Sequence, residues 1–257
     1  MPVELSFTEQ GNGPPIIILH GLYGSKRNWT SIAKALSGSY RVFSLDLRNH
    51  GDSPWADGMG YEALANDING FINQHDIKPS IVIGHSMGGK IAMTLALHLP
   101  QRVSRLVVVD IAPVARDTKI GKYASIMAHI PLEDCTTRKD VEAHMTQYIP
   151  RPQVRQFLLQ NLRRKENGFC WRLNLSALEK GMEDIADFPA VPDDTQYAGP
   201  TLFVKGATSD YILPYHKQGI KALFPNATIK TIANVGHWVH AEAPEEFLSI
   251  LSGFLDH

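Results

Sequence analysis

The fold of this chain is best predicted from one ten-residue stretch, Ser80-Ile81-Val82-Ile83-Gly84-His85-Ser86-Met87-Gly88-Gly89. The apolar run before Gly84 predicts a buried strand, and the small residues after Met87 open a predicted helix. Between them lies the pattern Gly-x-Ser-x-Gly, which places a serine on a tight turn from strand to helix. The glycines leave space where the chain passes close to itself. A serine in a purely structural turn is the alternative, but the strand and the helix on either side favour Ser86 as a nucleophile.

Short apolar runs rich in β-branched residues recur outward from this motif, and segments with helical periodicity separate them. The runs cover 16–19, 42–45, 81–83, 106–109, 202–204 and 228–232. They alternate little between apolar and polar residues, which is typical of strands buried on both faces of a parallel sheet. Helices are predicted at 29–36, 61–72, 90–99 and 244–255, and an antiparallel edge strand at 3–7. This order predicts an α/β fold whose mostly parallel sheet is covered by helices on both faces.

The alternation of strands and helices stops in the middle of the chain. Between 113 and 198 there is no strong strand run, but 139–148 and 153–162 predict helices, and a connector rich in Pro and Asp follows at 189–200. We interpret 113–195 as a helical cap inserted into a core formed by 1–112 and 196–257.

Two further segments are placed to assist a serine nucleophile, one by stabilising the oxyanion and the other by supplying the base. The loop 20–24, His-Gly-Leu-Tyr-Gly, directly follows the predicted strand at 16–19. We predict that the N–H groups of Leu22 and Met87 form the oxyanion hole. The predicted base is His237, which follows the last predicted strand and precedes the final helix.

The acid of the triad has two candidates. Asp110 ends the strand at 106–109, and Asp210 lies in the loop after the strand at 202–204. Either carboxylate could hold a ring nitrogen of His237, and either could instead cap a helix or a turn.

Five residues near these motifs are predicted to line the substrate pocket: His20, Tyr23, His85, Ser209 and Trp238. His240 is interpreted as structural. Trp171 and Trp238 are candidates for the wall of an acyl pocket, although buried aromatic residues are more often simply core.

Several motifs together resemble the α/β-hydrolase superfamily over essentially the whole chain. They are the His20-Gly21 loop, the elbow at 84–89, Gly236-His237, and the segment 46–53, Asp-Leu-Arg-Asn-His-Gly-Asp-Ser. The last is similar to the family pattern D-x-R-G-x-G-x-S, with Asn49 at the usual first glycine. More narrowly, 109–113 and 236–242 resemble the YbfF-type bacterial esterases and their mitochondrial relatives.

The resemblance implies the α/β-hydrolase fold with a mostly parallel sheet of eight strands and a small helical cap. It also implies hydrolysis of short- to medium-chain acyl esters, with acyl-CoA thioesters as a further substrate class. In that subgroup Asp110 serves the histidine, and the next loop contributes a serine, here Ser209. Because this chain also carries Asp210 one position later, we favour Asp110 and keep Asp210 as its rival.

The predicted function is therefore that of a serine carboxylesterase or thioesterase that forms an acyl-enzyme on Ser86, with neither a cofactor nor a metal. The expected partner is a small-molecule ester or thioester. A perhydrolase or a lyase could use the same triad, and a non-catalytic ligand receptor could retain it.

Composition excludes several other classes. The 257 residues carry a formal net charge of −1, which gives no general attraction to nucleic acid or to anionic membranes. The apolar runs are too short to span a bilayer, and the start of the chain lacks the features of a signal peptide. We expect a cytoplasmic protein, a monomer or a homodimer, in which Cys135 and Cys170 are reduced thiols.

The second half of the insertion carries six basic residues, namely Arg151, Arg155, Arg163, Arg164, Lys165 and Arg172. One hypothesis is that this patch receives the phosphates of a coenzyme A ester. A solvated helix face is the more ordinary interpretation.

Overall fold

The computed structural model describes residues 2–116, 121–166 and 168–256. Within these ranges the strands in chain order are β1 (Phe7–Gln10), β2 (Pro15–Leu19), β3 (Arg41–Leu45), β4 (Ser80–His85), β5 (Val103–Val109), β6 (Leu162–Lys165), β7 (Gly168–Trp171), β8 (Thr201–Gly206) and β9 (Ala227–Ile232).

The described helices alternate with these strands. They are α1 (Thr30–Leu36), α2 (Tyr61–Gln74), α3 (Met87–His98), α4 (Lys122–Ala128), α5 (Arg138–Thr146), α6 (Pro152–Leu159), α7 (Leu175–Lys180), α8 (Met182–Ala186), α9 (His216–Leu223), α10 (Val239–Glu242) and α11 (Pro244–Leu255). Short 3-10 helices lie at Lys26–Trp29, Pro100–Arg102 and Leu132–Asp134. In the described ranges no helix is both long enough and apolar enough to cross a bilayer.

One sheet holds the strands of the core in the order β1-β3-β2-β4-β5-β8-β9. Strand β1 runs antiparallel to β3, and the other neighbours are parallel. The register pairs His85 with Val109, and Val109 with Val204. Parallel pairing therefore brings the loops after β2, β4, β5, β8 and β9 to one edge of the sheet, as in other α/β folds with a site at the carboxyl ends of the strands.

Both faces of the sheet are buried, as the apolar runs predicted. Alternate residues of β2 separate into two cores: Ile17 packs with α2 and α3, while Ile16 and Ile18 pack with α1 and α11. A strand covered on both sides needs apolar residues at every position, which explains why the runs show little alternation.

The described sheet has seven strands where eight were expected, and its first strand begins at Phe7 rather than spanning 3–7. Before Phe7, the backbone N–H groups of two residues donate to side chains and not to a neighbouring strand. The Val3 N–H donates to Asp67 Oδ1 at 2.9 Å, and the Ser6 N–H donates to Ser53 Oγ at 2.8 Å. Because side chains take these two N–H groups, the regular strand begins only at Phe7, although the Ser6 carbonyl still accepts from the Asp46 N–H at 2.8 Å.

The segment between β5 and β8, residues 113–195, is called the insertion below. Its described part contains the predicted helices as α5 and α6 and also a hairpin, β6–β7, that the pattern did not predict. The run of charged residues in β6 concealed the strand, because its side chains are exposed and only Leu162 is half-buried, opposite Trp171. The Asn-Gly pair at 167–168 in the sequence is the turn signal that could have revealed it.

Asn49 fastens the insertion to the core at the position where the family pattern has glycine. Its backbone takes a φ of 65°, a left-handed conformation that asparagine tolerates. Its carbonyl accepts from the Asn174 N–H, and its Oδ1 accepts from Asn174 Nδ2, both at 3.0 Å. Its Nδ2 also donates to the Ala56 carbonyl at 2.9 Å. The asparagine thus performs two tasks, the turn and the attachment.

Candidate active site

Ser86 stands on a strained turn between β4 and α3, with φ 52° and ψ −118°. Its N–H donates to the Val109 carbonyl at 3.0 Å, and its own carbonyl accepts from the Gly89 and Lys90 N–H groups at 2.8 and 3.1 Å. A Cβ at Gly84 would collide with the Gly88 carbonyl. The surrounding hydrogen bonds hold the serine in a conformation that it would rarely adopt alone.

Ser86 and His237 line one cavity of about 370 Å³ between the carboxyl edge of the sheet and the insertion. The cavity's walls also include Leu22 from the loop after β2, and Val154 and Phe157 from α6. This volume suits a small organic ligand, and its walls combine apolar side chains with a few polar groups.

His237 is held from two sides. Its Nδ1 lies 2.8 Å from Asp110 Oδ2, and its carbonyl accepts a hydrogen bond from His85 Nε2 at 2.9 Å. Burial lowers the pKa of His85 well below its ordinary value, so that ring is neutral and carries its hydrogen on Nε2. His85 therefore supports the loop of His237.

Asp110 is fully buried at the end of β5, where its backbone has a φ of 53°. Its Oδ1 accepts from the Gly206 N–H at 3.2 Å, and its Oδ2 accepts from the Ser209 hydroxyl as well as facing His237. A buried carboxylate needs such donors because burial removes its hydration.

Asp210 lies one residue beyond Ser209 but points elsewhere. Its Oδ1 pairs with Arg116 Nη2 at 2.8 Å, and 73% of its side chain is exposed. Of the two candidate acids, the structure brings Asp110 to His237 and places Asp210 on Arg116.

The loop after β2 approaches Ser86 closely. A Cβ at Gly21 would lie 2.8 Å from His85 Nδ1 and 3.2 Å from Ser86 Cβ, so glycine is needed here for close packing. Within this loop Tyr23 takes a left-handed backbone conformation, with a φ of 60°. Leu22 and Met87 both line a small cavity beside Ser86, where amides at a helix N-terminus can face an oxyanion.

The predicted pocket residues separate into two groups. Tyr23, His85, Ser209 and Trp238 line the cavity of Ser86. His20 does not, because its ring is bonded within the core: Nδ1 donates to the Gly21 carbonyl at 2.8 Å, and Nε2 accepts from the Leu47 N–H at 3.0 Å. It shapes the loop and lines an adjoining cavity instead.

That second cavity, of about 510 Å³, has several amide side chains in its wall. It shares Gly21, Phe157 and Trp238 with the first, and its outer wall carries amide side chains of α6 and of the following residue, including Gln153 and Gln160. The rings of Phe157 and Trp238, 5.4 Å apart, stand at the boundary between the two cavities.

Sequence reasoning missed two residues beside the site. Tyr211 stacks on the His237 ring, with centroids 3.8 Å apart. Lys90, in the first turns of α3, is buried and donates to the carbonyls of Ala186 and Asp187 at 2.9 and 2.5 Å. Burial lowers the pKa of Lys90 to about 8. A lysine among the small and apolar residues of α3 is the signal that could have identified it.

The six basic residues of the insertion do not act together. Arg151 lines the cavity of Ser86, Arg155 donates to the Ile149 carbonyl at 2.8 Å, and Arg172 pairs with Asp52. The other three lie on β6 with exposed side chains. In the described ranges no group of three or more His, Cys, Asp or Glu residues is placed to hold a metal ion.

Comparison with known proteins agrees with this geometry. A family model described as alpha/beta hydrolase fold matches residues 14–244. A mouse protein named sn-1-specific diacylglycerol lipase ABHD11 is 42% identical over 250 residues, covering 94% of this chain and 81% of its own length. Esterase YbfF of Escherichia coli is 35% identical over 250 residues, covering 96% of this chain and 95% of its own length.

Solved structures give the same result. A structure described as a marine microorganism esterase has a TM-score of 0.95 and 40% identity, and the match covers 98% of this chain and 99% of that one. An E-2-(acetamidomethylene)succinate hydrolase has a TM-score of 0.81 at 21% identity, covering 99% and 96%, which shows a shared fold alone.

Proposed function

Because the chain belongs to the α/β-hydrolase family and is a serine ester hydrolase, we propose that it cleaves short- to medium-chain acyl esters through an acyl-enzyme on Ser86. One observation carries the proposal: Ser86 lines the same cavity as His237, whose Nδ1 contacts the buried Asp110. A serine beside a histidine whose other ring nitrogen faces a carboxylate provides a nucleophile, its base and the group that orients the base.

The proposed reaction begins when Ser86 Oγ attacks the acyl carbon and His237 takes its proton. Asp110 keeps the hydrogen on His237 Nδ1, which leaves Nε2 free to act as the base. The N–H groups of Leu22 and Met87 stabilise the oxyanion, and loss of one such donor costs about 2.7–4 kcal/mol. The alcohol then leaves with the proton from His237, and water releases the acid by the same steps.

We assign the acyl chain to the cavity of Ser86 and the alcohol to the adjoining cavity, whose wall carries the amide side chains. Val154 and Phe157 give the first an apolar wall, while Gln153 and Gln160 line the second. In this assignment the insertion acts as a cap, because α6 presents Val154 and Leu158 to the first cavity and Gln153 to the second, with Phe157 between them. The mouse relative named as a diacylglycerol lipase makes acylglycerols reasonable members of the substrate panel.

Thioesters of coenzyme A are a second candidate class, favoured by one residue. Arg151 brings a positive charge to the cavity of Ser86, where a phosphate-bearing leaving group could be attracted. We expect Arg151→Gln to lower kcat/KM for an acyl-CoA while leaving the p-nitrophenyl ester of the same acid unchanged. Equal effects on both substrates would remove this class.

The main test combines labelling with kinetics. A fluorophosphonate should label the wild type at Ser86, and Ser86→Ala should lose both the label and turnover of p-nitrophenyl butyrate. The exposed Ser39 provides the control, since Ser39→Ala should behave as the wild type. A label on another residue, or full turnover by Ser86→Ala, would refute the proposal.

A panel of p-nitrophenyl esters of increasing length tests the acyl assignment. We expect kcat/KM to rise and then fall as the chain outgrows the cavity. Val154→Ala enlarges the cavity at its apolar wall, so the chain length with the highest kcat/KM should increase. Gln153→Ala should leave that chain length unchanged.

A further inference from the structure

The imidazole of His237 is fixed by more than its hydrogen bond to Asp110. The ring of Tyr211 lies flat against it, with centroids 3.8 Å apart and planes inclined by 17°. A single hydrogen bond at Nδ1 leaves an imidazole free to turn about the line from Nδ1 to its acceptor. A flat aromatic contact removes that freedom, because turning would drive the two rings into each other.

Tyr211 is itself held by a second contact. The guanidinium carbon of Arg116 lies 4.0 Å from the centroid of the Tyr211 ring, the geometry of a cation–π interaction. The Tyr211 N–H also donates to Ser209 Oγ at 3.3 Å, which connects it to the serine that serves Asp110.

Arg116 is anchored on both sides of the boundary between core and insertion. Its Nη1 donates to the Asp210 carbonyl at 2.7 Å, and its Nη2 lies 2.8 Å from Asp210 Oδ1. Its N–H donates to the Ala186 carbonyl of the insertion at 2.8 Å. Asp210 therefore has a task of its own, which is to hold the arginine that packs on Tyr211.

We propose that Tyr211 is a positioning residue for His237, and that Arg116 and Asp210 hold Tyr211 in place. This inference deepens the proposed function, because it concerns the same base. Tyr211 also lines the cavity of Ser86, so a substrate contact is the competing role. The two roles differ in the kinetic constant that they affect: orientation of the base acts on kcat, and binding of the acyl chain acts on KM.

Substitution of Tyr211 separates these roles. Tyr211→Phe keeps the flat ring and should retain kcat within about threefold of the wild type, since the stacking geometry is preserved. Tyr211→Leu keeps an apolar wall but loses the flat face, and kcat should fall about 10- to 100-fold, as expected when a catalytic group is displaced by about 1 Å. KM should stay within about threefold, and fluorophosphonate labelling of Ser86 should slow in proportion to kcat.

Tyr123 provides the matched control. It lines the same cavity, and its ring contacts that of Tyr23 at a centroid distance of 6.4 Å. We expect Tyr123→Leu to change KM and leave kcat within about threefold, the behaviour of a wall residue. If Tyr211→Leu also changes KM alone, or matches the wild type in kcat, the positioning role is wrong.

Arg116→Met gives an independent test should Tyr211→Leu fail to fold. Methionine retains packing area but loses the charge and the bonds to Asp210, so kcat should fall by about 3- to 10-fold with KM unchanged. An unchanged kcat in folded Arg116→Met would show that Tyr211 needs no support from Arg116. Loss of Ser86 labelling in the wild type would instead refute the proposed function, so the two failures are distinguishable.

Discussion

Two sets of polar contacts lie side by side at the carboxyl edge of the sheet, and they are built differently. The strand-end set consists of Asp110, Ser209 and His237, from the loops after β5, β8 and β9. Their side chains are short, and the carboxylate at their centre is fully buried. Few rotatable bonds, and the complete burial of the carboxylate to which the other two bind, restrict this set to one arrangement.

The neck set consists of Lys90, Arg116 and Asp210 with the Ala186 and Asp187 carbonyls, and it lies near the two ends of the insertion. Here long side chains reach from the core or the loop to backbone carbonyls. Such side chains carry more rotamer freedom, and the Asp210 side chain of the Arg116–Asp210 pair is 73% exposed. The groups of the predicted triad are therefore positioned by strand ends, whereas the insertion is attached through long side chains that bind backbone carbonyls.

The largest effect is expected in the strand-end set, if that set is the catalytic one. We expect Asp110→Asn to lower kcat by about 10³- to 10⁴-fold, because an amide at this position can favour the wrong tautomer of the histidine. Steady-state hydrolysis of p-nitrophenyl butyrate measures the effect, and circular dichroism checks the fold. Activity near that of the wild type would exclude Asp110 as the acid.

The neck set is tested by the titration of Lys90. Burial lowers the pKa of Lys90 to about 8, below the value of about 10.4 in an unfolded chain. Between these values the unfolded state binds more protons, so this residue should raise the free energy of unfolding by about 1–2 kcal/mol as the pH rises from about 8 to about 10. Asp187 and Arg116 are the charged groups that act on it.

Urea unfolding of the wild type and of Lys90→Met at a series of pH values isolates this contribution. Other lysines and tyrosines also titrate in the range, but they are common to both proteins and cancel in the difference. A difference that is constant with pH would show that Lys90 keeps its ordinary titration.

Ser209 binds Asp110 of the strand-end set and directly precedes Asp210 of the neck set. Its substitution should lower kcat less than Asp110→Asn does. Ser209→Ala removes one donor to Asp110 and the acceptor for the Tyr211 N–H. Because Gly206 and His237 still contact the carboxylate, we expect kcat to fall only about 3- to 10-fold, less than a full hydrogen bond to a charged group. A loss as large as that of Asp110→Asn would make the serine an essential part of the triad.

Asp210→Asn should have the smallest effect. The side chain is 73% exposed, and exposed ion pairs contribute about 0–1 kcal/mol. The backbone carbonyl of residue 210 still accepts from Arg116 in the variant. We therefore expect less than about a threefold loss in kcat, and a loss of several orders of magnitude would reverse the ranking of the two aspartates.

The strand-end set could be predicted from the sequence because each member follows a strand. Parallel strands bring their carboxyl ends to one edge, so Asp110 and His237 converge although they are far apart in the chain, and Ser86 follows a strand of the same sheet. The family, the fold class and the ester hydrolase function predicted on this basis are confirmed. The roles of individual residues stay predictions for the experiments above.

The neck set could not be predicted in this way. Arg116 contacts Asp210 across 94 positions, and Lys90 contacts Ala186 across 96. No periodicity connects such pairs, because a long side chain reaches a carbonyl wherever the folded insertion places it. Position after a strand could not separate Asp110 from Asp210 either, because both follow strands. The family resemblance favoured Asp110, and in the structure its side chain faces His237.

Asn49 has a consequence for transplanting segments between related hydrolases. Glycine can adopt the same left-handed backbone conformation, so a sequence comparison of the core alone would treat the two residues as interchangeable. Yet half of the attachment to residue 174 is made by the asparagine's own amide. A chimaera that takes its insertion from one parent and its core from another must therefore inherit positions 49 and 174 from the same parent, or the graft will be held by the backbone bond alone.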